Sequence, residues 1–148
     1  MASLPDLTTH VRVGIYTHIV AHTAVPSIEE LSHSLGMPKE AVRSAVAALA
    51  EAHALVLQPD GEILMANPFS AVPTGFEVIM DGKRWWGNCI WDSLGIISAV
   101  GGEGDVHTAC GCCGLAMQLQ IRHGAIVGDG IVHFAVPARH WWDDIVFN

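Results

Sequence analysis

The spacing of apolar residues in the first 66 positions predicts three helices. Val11, Ile15 and Ile19 recur at helical spacing, which indicates a first helix over about residues 8–22. Two further helices follow, each with its own start signal. The capping box Ser27-Ile28-Glu29-Glu30 starts the second helix, and Gly36 ends it. Pro38 starts the third helix, whose inner face carries Val42, Ala45, Val46 and Leu49.

A hairpin is predicted after the third helix. Two short apolar runs, residues 55–57 and 63–65, flank Pro59-Asp60-Gly61, a composition typical of a turn between antiparallel strands. The order helix, helix, turn, helix, hairpin is that of a winged helix. We therefore assign residues 1–66 to a winged-helix-like subdomain with three helices.

The pattern changes from helical to β after this subdomain. Residues 67–74 contain two prolines and form a connector at the boundary. A hairpin turn is expected at Asp81-Gly82. Strands are predicted at residues 76–80, 83–86, 105–110, 115–121 and 131–136, and a helix from Cys89 to about Val100. The fold class is thus α+β, with residues 67–148 forming a small mixed or antiparallel β subdomain that carries one helix.

The charge of the first subdomain argues against nucleic-acid binding. Residues 1–66 carry three basic side chains, Arg12, Lys39 and Arg43, against seven acidic ones. Nucleic-acid phosphates are bound by basic protein faces, and the third helix offers only Lys39 and Arg43 with Glu40 between them. A structural role is therefore favoured for this subdomain.

Composition and cysteine usage indicate the broad class of the protein. Hydrophobic residues make up 51% of the chain and charged residues 15%, which implies thorough burial. No apolar run approaches the roughly 20 residues of a membrane span, and the N-terminus lacks the pattern of a signal peptide. Three of the four cysteines lie within residues 110–113, unlike a secreted disulfide framework. We expect a cytoplasmic protein with reduced thiols and no membrane association, whose oligomeric state the sequence leaves open.

A cysteine and a carboxylate lie three residues apart at the predicted start of the second-subdomain helix. Asn88 is the expected N-cap, so Cys89 falls on the first turn, where backbone N–H groups and the helix dipole favour a thiolate. Asp92 shares its helix face. The pair supplies a soft nucleophile or metal ligand with a proton carrier beside it. The plainer alternative is a small buried cysteine followed by an ordinary helix aspartate.

Four segments of the sequence resemble the organomercurial (alkylmercury) lyases. The resemblance covers most of the chain, including the N-terminal region. The Cys-x-x-Asp junction in its aromatic context is the specific part of it. The segments are Asn67-Pro68-Phe69-Ser70, Trp86-Gly87-Asn88-Cys89-Ile90-Trp91-Asp92-Ser93-Leu94-Gly95-Ile96, His107-Thr108-Ala109-Cys110, and residues 137–142.

The resemblance implies cleavage of a carbon–mercury bond. In that family two thiolates bind the mercury of R–Hg⁺, and a carboxylate handles the proton that replaces the metal on carbon. Cys89 matches the family's first cysteine and Asp92 its carboxylate, so both are expected to be catalytic. Sulfur is the preferred ligand of a soft metal, and the carboxyl group acts as a general acid. No obligatory cofactor is expected, and the partner is a small organometallic substrate or a soft metal ion.

In the family, the second catalytic cysteine follows the late aromatic segment. This chain has no cysteine at that place, since its last cysteine is Cys113. The cluster Cys110-Gly111-Cys112-Cys113 is the expected substitute, because three thiols in four residues can bind Hg(II), Cu(I) or Zn(II). Cys110 falls where the family has a structural cysteine, so Cys112 and Cys113 are favoured as ligands. The alternative function is a thiol-based soft-metal binding or sensing protein that has kept the fold and lost the lyase step.

Overall fold

The computed structural model describes residues 4–146, and the α+β class predicted from the sequence is confirmed. Helices precede two antiparallel sheets. The first region comprises α1 (Leu4–His22), α2 (Ile28–Leu35), α3 (Lys39–Glu51), β1 (Leu55–Leu57), β2 (Ile63–Ala66) and β3 (Phe69–Ser70). The second comprises β4 (Glu77–Met80), β5 (Lys83–Trp86), α4 (Ile90–Val100), β6 (Gly104–Ala109), β7 (Ala116–Arg122), β8 (Ala125–Val127) and a 3-10 helix at Ala138–Asp143.

The local signals that predicted α2 and α3 are all present. The Ser27 hydroxyl accepts from the Glu30 N–H, and the Glu30 carboxylate accepts from the Ser27 N–H, so the capping box is complete. Gly36 ends α2 with a φ of 62°. The four predicted inner-face residues of α3 are buried. Within residues 4–146, no helix combines the length and the hydropathy that crossing a bilayer requires.

The predicted connector contributes a strand. Phe69 and Ser70 pair with Ala66 and Met65, which makes β3 the third strand of a sheet ordered β1-β2-β3. Phe69 is buried and also forms a bridge with Gly87. The backbone pairing of Phe69 therefore connects this proline-containing segment both to the first sheet and to the residue that follows β5.

The second sheet has the order β5-β4-β6-β7-β8 and differs from the prediction at its last strand. Residues 131–136 are not a strand. His123 and Gly124, with φ values of 54° and 74°, make a two-residue turn after β7, and such a turn returns the chain at once. Ala125–Val127 therefore forms the next strand, and the prediction of a last strand at residues 131–136 was wrong because this turn brings the chain back into the sheet earlier.

The two regions share one hydrophobic core. Buried residues of α1, α3, β4, β6 and α4 belong to a single cluster. Trp85, which is 2% exposed, joins the second sheet to the first helix, because its indole Nε1 donates to the backbone oxygen of Ile19 at 3.0 Å. Lys83 Nζ makes a similar contact with the Val20 oxygen at 3.3 Å. These contacts hold the second sheet against α1.

The C-terminal segment contacts both regions through aromatic rings. Phe134 lies between Trp91 of α4, at a centroid distance of 6.4 Å, and Trp141, at 5.2 Å. Trp142 stacks on His53, with ring centroids 4.2 Å apart. This segment therefore covers part of α4 and ends beside the turn that follows α3.

Replacing Trp85 with phenylalanine should weaken the junction between α1 and the second sheet. We expect Trp85→Phe to lower the free energy of unfolding by about 1–3 kcal/mol, since it removes a buried hydrogen bond and part of a buried ring. Urea denaturation measures this change. Trp142→Phe, at a more exposed ring, is the matched control and should change it by about 0.5 kcal/mol or less. Equal effects of the two substitutions would contradict the assigned role of Trp85.

Candidate active site

The junction between β5 and α4 positions the candidate site. The Gly87 N–H donates to the Phe76 oxygen at 2.9 Å, and the Gly87 oxygen accepts from Thr74 Oγ1 at 2.6 Å. A Cβ atom at Gly87 would overlap Ser93 Oγ and lie 2.9 Å from Ser93 N. The strand end and the first turn of the helix approach so closely that only glycine fits between them.

Cys89, and not Asn88, is the N-cap of α4. Its backbone is extended, with φ −148° and ψ 179°, and its sulfur accepts from the Asp92 N–H at 3.4 Å. Its carbonyl accepts from the Ser93 N–H and Oγ, both at 3.0 Å. The prediction of Asn88 as the N-cap was therefore wrong. The thiol takes the place of the usual oxygen acceptor, and the Asn88 side chain is free to make other contacts.

The Asp92 carboxylate contacts both a thiol and an amide. The Asn88 Nδ2 donates to Asp92 Oδ2 at 3.1 Å, and the Cys89 thiol donates to the same carboxylate. Burial raises the pKa of Asp92 above its ordinary value, and these two hydrogen bonds oppose the rise. A half-buried carboxylate with a raised pKa, in contact with a thiol, is suited to accept the thiol proton and hold it.

Asn88 is a site residue whose role the sequence analysis missed. Its Nδ2 lies 3.1 Å from Asn67 Oδ1 and 3.3 Å from the Pro68 oxygen, in addition to its contact with Asp92. The Tyr16 hydroxyl donates to the Asn67 backbone oxygen at 2.8 Å. Among the described residues, Asn88 Oδ1 is buried without a hydrogen-bond partner. The four-residue spacing between Asn88 and Asp92 was the one signal of this contact in the sequence.

Cys89 is held as a thiol. Burial raises the pKa of Cys89, the N–H groups of Asp92 and Trp91 lower it, and the negative charge of Asp92 raises it again, with a net rise. The expectation of a lowered pKa for Cys89 was wrong, because the spacing of residues in the sequence does not show how deeply the sulfur is buried. The structure thus pairs a protonated sulfur with a proton-accepting carboxylate.

An apolar cavity of about 870 Å³ lies beside α4. Ile90 and Leu94 line it from the helix. Cys110 and Cys112 line it from the turn that follows β6, and His133 lines it from the C-terminal segment. The helix that carries the Cys89–Asp92 pair and the turn that carries the cysteine cluster therefore both line this cavity. Its apolar walls suit an organic group.

The cysteine cluster forms a tight turn between β6 and β7. The Cys110 N–H donates to the Leu115 oxygen, and the Gly114 N–H donates to the Cys110 oxygen, both at 2.8 Å. The Cys110 sulfur accepts from the backbone N–H groups of Cys113 and Cys112 and from the Cys113 thiol, and these contacts lower the pKa of Cys110. Cys112 and Cys113 are exposed. Among the three cysteines of this turn, the lowered pKa thus belongs to Cys110, which was the least favoured ligand from the sequence.

The described residues do not form a closed metal site. Within residues 4–146, no group of three or more His, Cys, Asp or Glu side chains is arranged to hold a metal ion. Cys110, Cys112 and Cys113 thus do not make a three-ligand site together. The ligand roles of these cysteines and of Cys89 stay predictions.

Comparisons with known proteins agree with this architecture. A model of the alkylmercury lyase family matches residues 69–147. The crystal structure of the mercury-bound form of MerB2 is similar with a TM-score of 0.62 and 19% identity, and the match covers 84% of this chain and 65% of that chain. No curated protein sequence matches. At this identity the structural match shows a shared fold, and the chain spans about two thirds of the length of that protein.

The opposite environments of Cys89 and Cys110 should be measurable by alkylation. We expect iodoacetamide to label Cys110 at a lower pH than Cys89 between about pH 6 and about pH 10, since contacts to its sulfur lower the pKa of Cys110 and burial raises that of Cys89. Asp92→Asn should lower the pKa of Cys89, because it removes the neighbouring negative charge. Peptide mass spectrometry gives both rates. Labelling of Cys89 at a lower pH than Cys110 would contradict the structure.

Proposed function

The chain belongs to the alkylmercury lyase family, and on that premise we propose that it cleaves carbon–mercury bonds by protonolysis. Cys89 binds the mercury of an organomercurial, and Asp92 transfers the proton that replaces mercury on carbon. The proposed substrate is a small organomercurial, with mercury as a part of the substrate and no resident cofactor. The proposal includes a reducing, cytoplasmic setting, because the chemistry requires thiols and all four cysteines are unpaired.

The hydrogen bond from the Cys89 thiol to the Asp92 carboxylate carries this proposal. A thiol must lose its proton to bind mercury, and here the acceptor is already in contact. Burial raises the pKa of Asp92, so the carboxyl group can keep the proton after sulfur has released it. The pair can then supply both the sulfur that binds mercury and the proton that replaces mercury on carbon.

The proposed reaction balances with these two residues. The Cys89 sulfur binds R–Hg⁺ as its proton passes to Asp92, which leaves Cys89–S–Hg–R and a neutral Asp92 carboxyl group. The proton then moves from Asp92 to the carbon bound to mercury, and the Hg–C bond breaks. The products are R–H, mercury(II) on the Cys89 sulfur and a regenerated Asp92 carboxylate. No external oxidant or reductant takes part in the reaction.

The apolar cavity is proposed to hold the organic group, and the turn of residues 110–113 to supply a second sulfur. Ile90, next to Cys89 in sequence, and Leu94 line the cavity together with Cys110 and Cys112. A second thiolate on mercury increases electron density on the metal and weakens its bond to carbon. Cys110 is favoured for this role, because it lines the cavity and hydrogen bonds from neighbouring N–H groups lower its pKa.

A second candidate function is soft-metal binding or sensing without cleavage. The observation that favours it is the exposed pair of thiols at Cys112 and Cys113 beside Cys110, whose pKa is lowered. Such a cluster can bind Hg(II), Cu(I) or Zn(II) with no carboxylate. Release of hydrocarbon separates the two functions, because a binding protein retains the organomercurial intact.

Substitutions at Cys89 and Asp92 separate binding of the substrate from its cleavage. We expect the protein to release benzene from a phenylmercury compound, and Cys89→Ser to abolish release and to weaken binding. Asp92→Asn should keep stoichiometric binding and slow release by about 10²–10⁴-fold, since it removes only the proton carrier. Gas chromatography measures benzene, and intact-protein mass spectrometry measures binding.

A carboxylate outside the site provides the control for this experiment. Asp81 lies in the exposed turn between β4 and β5, with a φ of 48° that asparagine tolerates, so Asp81→Asn should release benzene at the unaltered rate. Stoichiometric binding of phenylmercury by the unaltered protein without any benzene would favour the binding or sensing function. Unchanged release by Asp92→Asn would remove Asp92 from the reaction.

A further inference from the structure

We propose that Asn88 is a positioning residue, whose side-chain amide fixes the Asp92 carboxylate in the orientation from which the proton is delivered. Asn88 Nδ2 donates to Asp92 Oδ2 at 3.1 Å. Asn88 takes no part in the proton transfer itself and acts through Asp92. The consequence for cleavage rests on the proposed function, whereas the contact between the two side chains does not.

The start of α4 leaves the orientation of Asp92 dependent on a side chain. In the capping box of α2, the carboxylate of Glu30, the third residue of the helix, accepts from the backbone N–H of the N-cap Ser27 at 2.8 Å. Asp92 is the third residue of α4, and its shorter side chain accepts instead from the amide of Asn88, the residue before the N-cap. A single substitution can therefore remove the group that orients the carboxylate.

The surroundings of the Asn88 amide determine which way it points. Three acceptor oxygens lie around its nitrogen: Asn67 Oδ1 at 3.1 Å, the Pro68 carbonyl oxygen at 3.3 Å and Asp92 Oδ2 at 3.1 Å. The reverse orientation would place the amide oxygen against the Pro68 and Asp92 oxygens, neither of which carries a proton when Asp92 is ionised.

The Asn88 amide keeps this orientation at a cost. Its oxygen Oδ1 is buried and has no hydrogen-bond partner among residues 4–146. A buried acceptor without a donor lowers stability, and such groups are uncommon in folded proteins. The arrangement therefore favours holding the Asp92 carboxylate over satisfying both ends of the amide.

The segment that holds Asn88 is itself anchored. The Tyr16 hydroxyl donates to the Asn67 backbone oxygen at 2.8 Å, and Gly87, the residue before Asn88, forms a backbone bridge with Phe69. The amide thus lies between a fixed backbone segment and the carboxylate. A positioning group requires such an anchor, because a small displacement of a reacting group greatly lowers the rate.

Steady-state kinetics of benzene release from a phenylmercury compound test this role. We expect Asn88→Ala to lower kcat by about 10–10²-fold, since a displaced carboxyl group delivers its proton less often. KM should change by less than about threefold, because the groups that bind the substrate are unaltered. Asn88→Asp, which has the same shape but no N–H donor, should lower kcat at least as much.

Two further variants separate positioning from a general loss of stability. Ser27→Ala removes a hydrogen bond at the start of α2 and should leave kcat unchanged, with urea denaturation reporting the stability of each variant. In the Asp92→Asn background, Asn88→Ala should cause no further loss, since Asn88 acts only through the carboxylate. An unchanged kcat in Asn88→Ala, or a further loss of about 10-fold in the Asp92→Asn background, would overturn the proposal.

The contact with Asp92 is tested without any reaction. In a ¹H–¹⁵N spectrum, the side-chain NH₂ signals of Asn88 are identified by their absence in Asn88→Asp. We expect Asp92→Ala to shift them and Asp81→Asn, in an exposed turn, to leave them in place. Unshifted signals in Asp92→Ala would show that the contact does not exist. Shifted signals without benzene release by the unaltered protein would contradict the lyase function, and with it the role in cleavage, while the contact stands.

Discussion

The side-chain amide of Asn88 connects the candidate site to the rest of the molecule. Its nitrogen lies between acceptors on Asn67, Pro68 and Asp92, and Asn67 accepts from Tyr16 of the first helix. The orientation of the Asp92 carboxylate therefore depends on contacts that originate in the N-terminal helices. This dependence gives the helical region a structural role in the site, although it contributes neither of the two expected catalytic residues.

The two proposed mercury-binding regions shift the pKa values of their cysteines in opposite directions. The pKa of Cys89 is raised, since its sulfur is half-buried beside a carboxylate, and the pKa of Cys110 is lowered by hydrogen bonds from neighbouring N–H groups. The difference arises from burial and local donors and not from the cysteine itself. Under the proposed function, the Cys89 thiol supplies the proton for cleavage, and Cys110 loses its proton to a metal more readily.

The fold could be predicted from the sequence wherever a local signal determined it. The capping box at Ser27, the αL glycine at Gly36 and the Asp81-Gly82 turn each fix an element through contacts within a few residues. The strand at residues 131–136 was predicted wrongly, because the choice of the last strand depended on the turn at Gly124. In the site, the spacing of Cys89 and Asp92 identified the pair. The direction of their pKa shifts depends on burial, which only the folded chain provides.

The raised pKa of Cys89 also bears on how readily its sulfur is oxidised. Peroxides and other oxidants attack thiolates far faster than thiols. A sulfur that keeps its proton at rest is therefore protected from sulfenic acid formation and from mixed disulfides. A thiophilic metal can still displace that proton, because the acceptor carboxylate is adjacent. The same hydrogen bond thus makes the sulfur selective for soft metals over common oxidants, and oxidative damage should fall first on the exposed turn around Cys110.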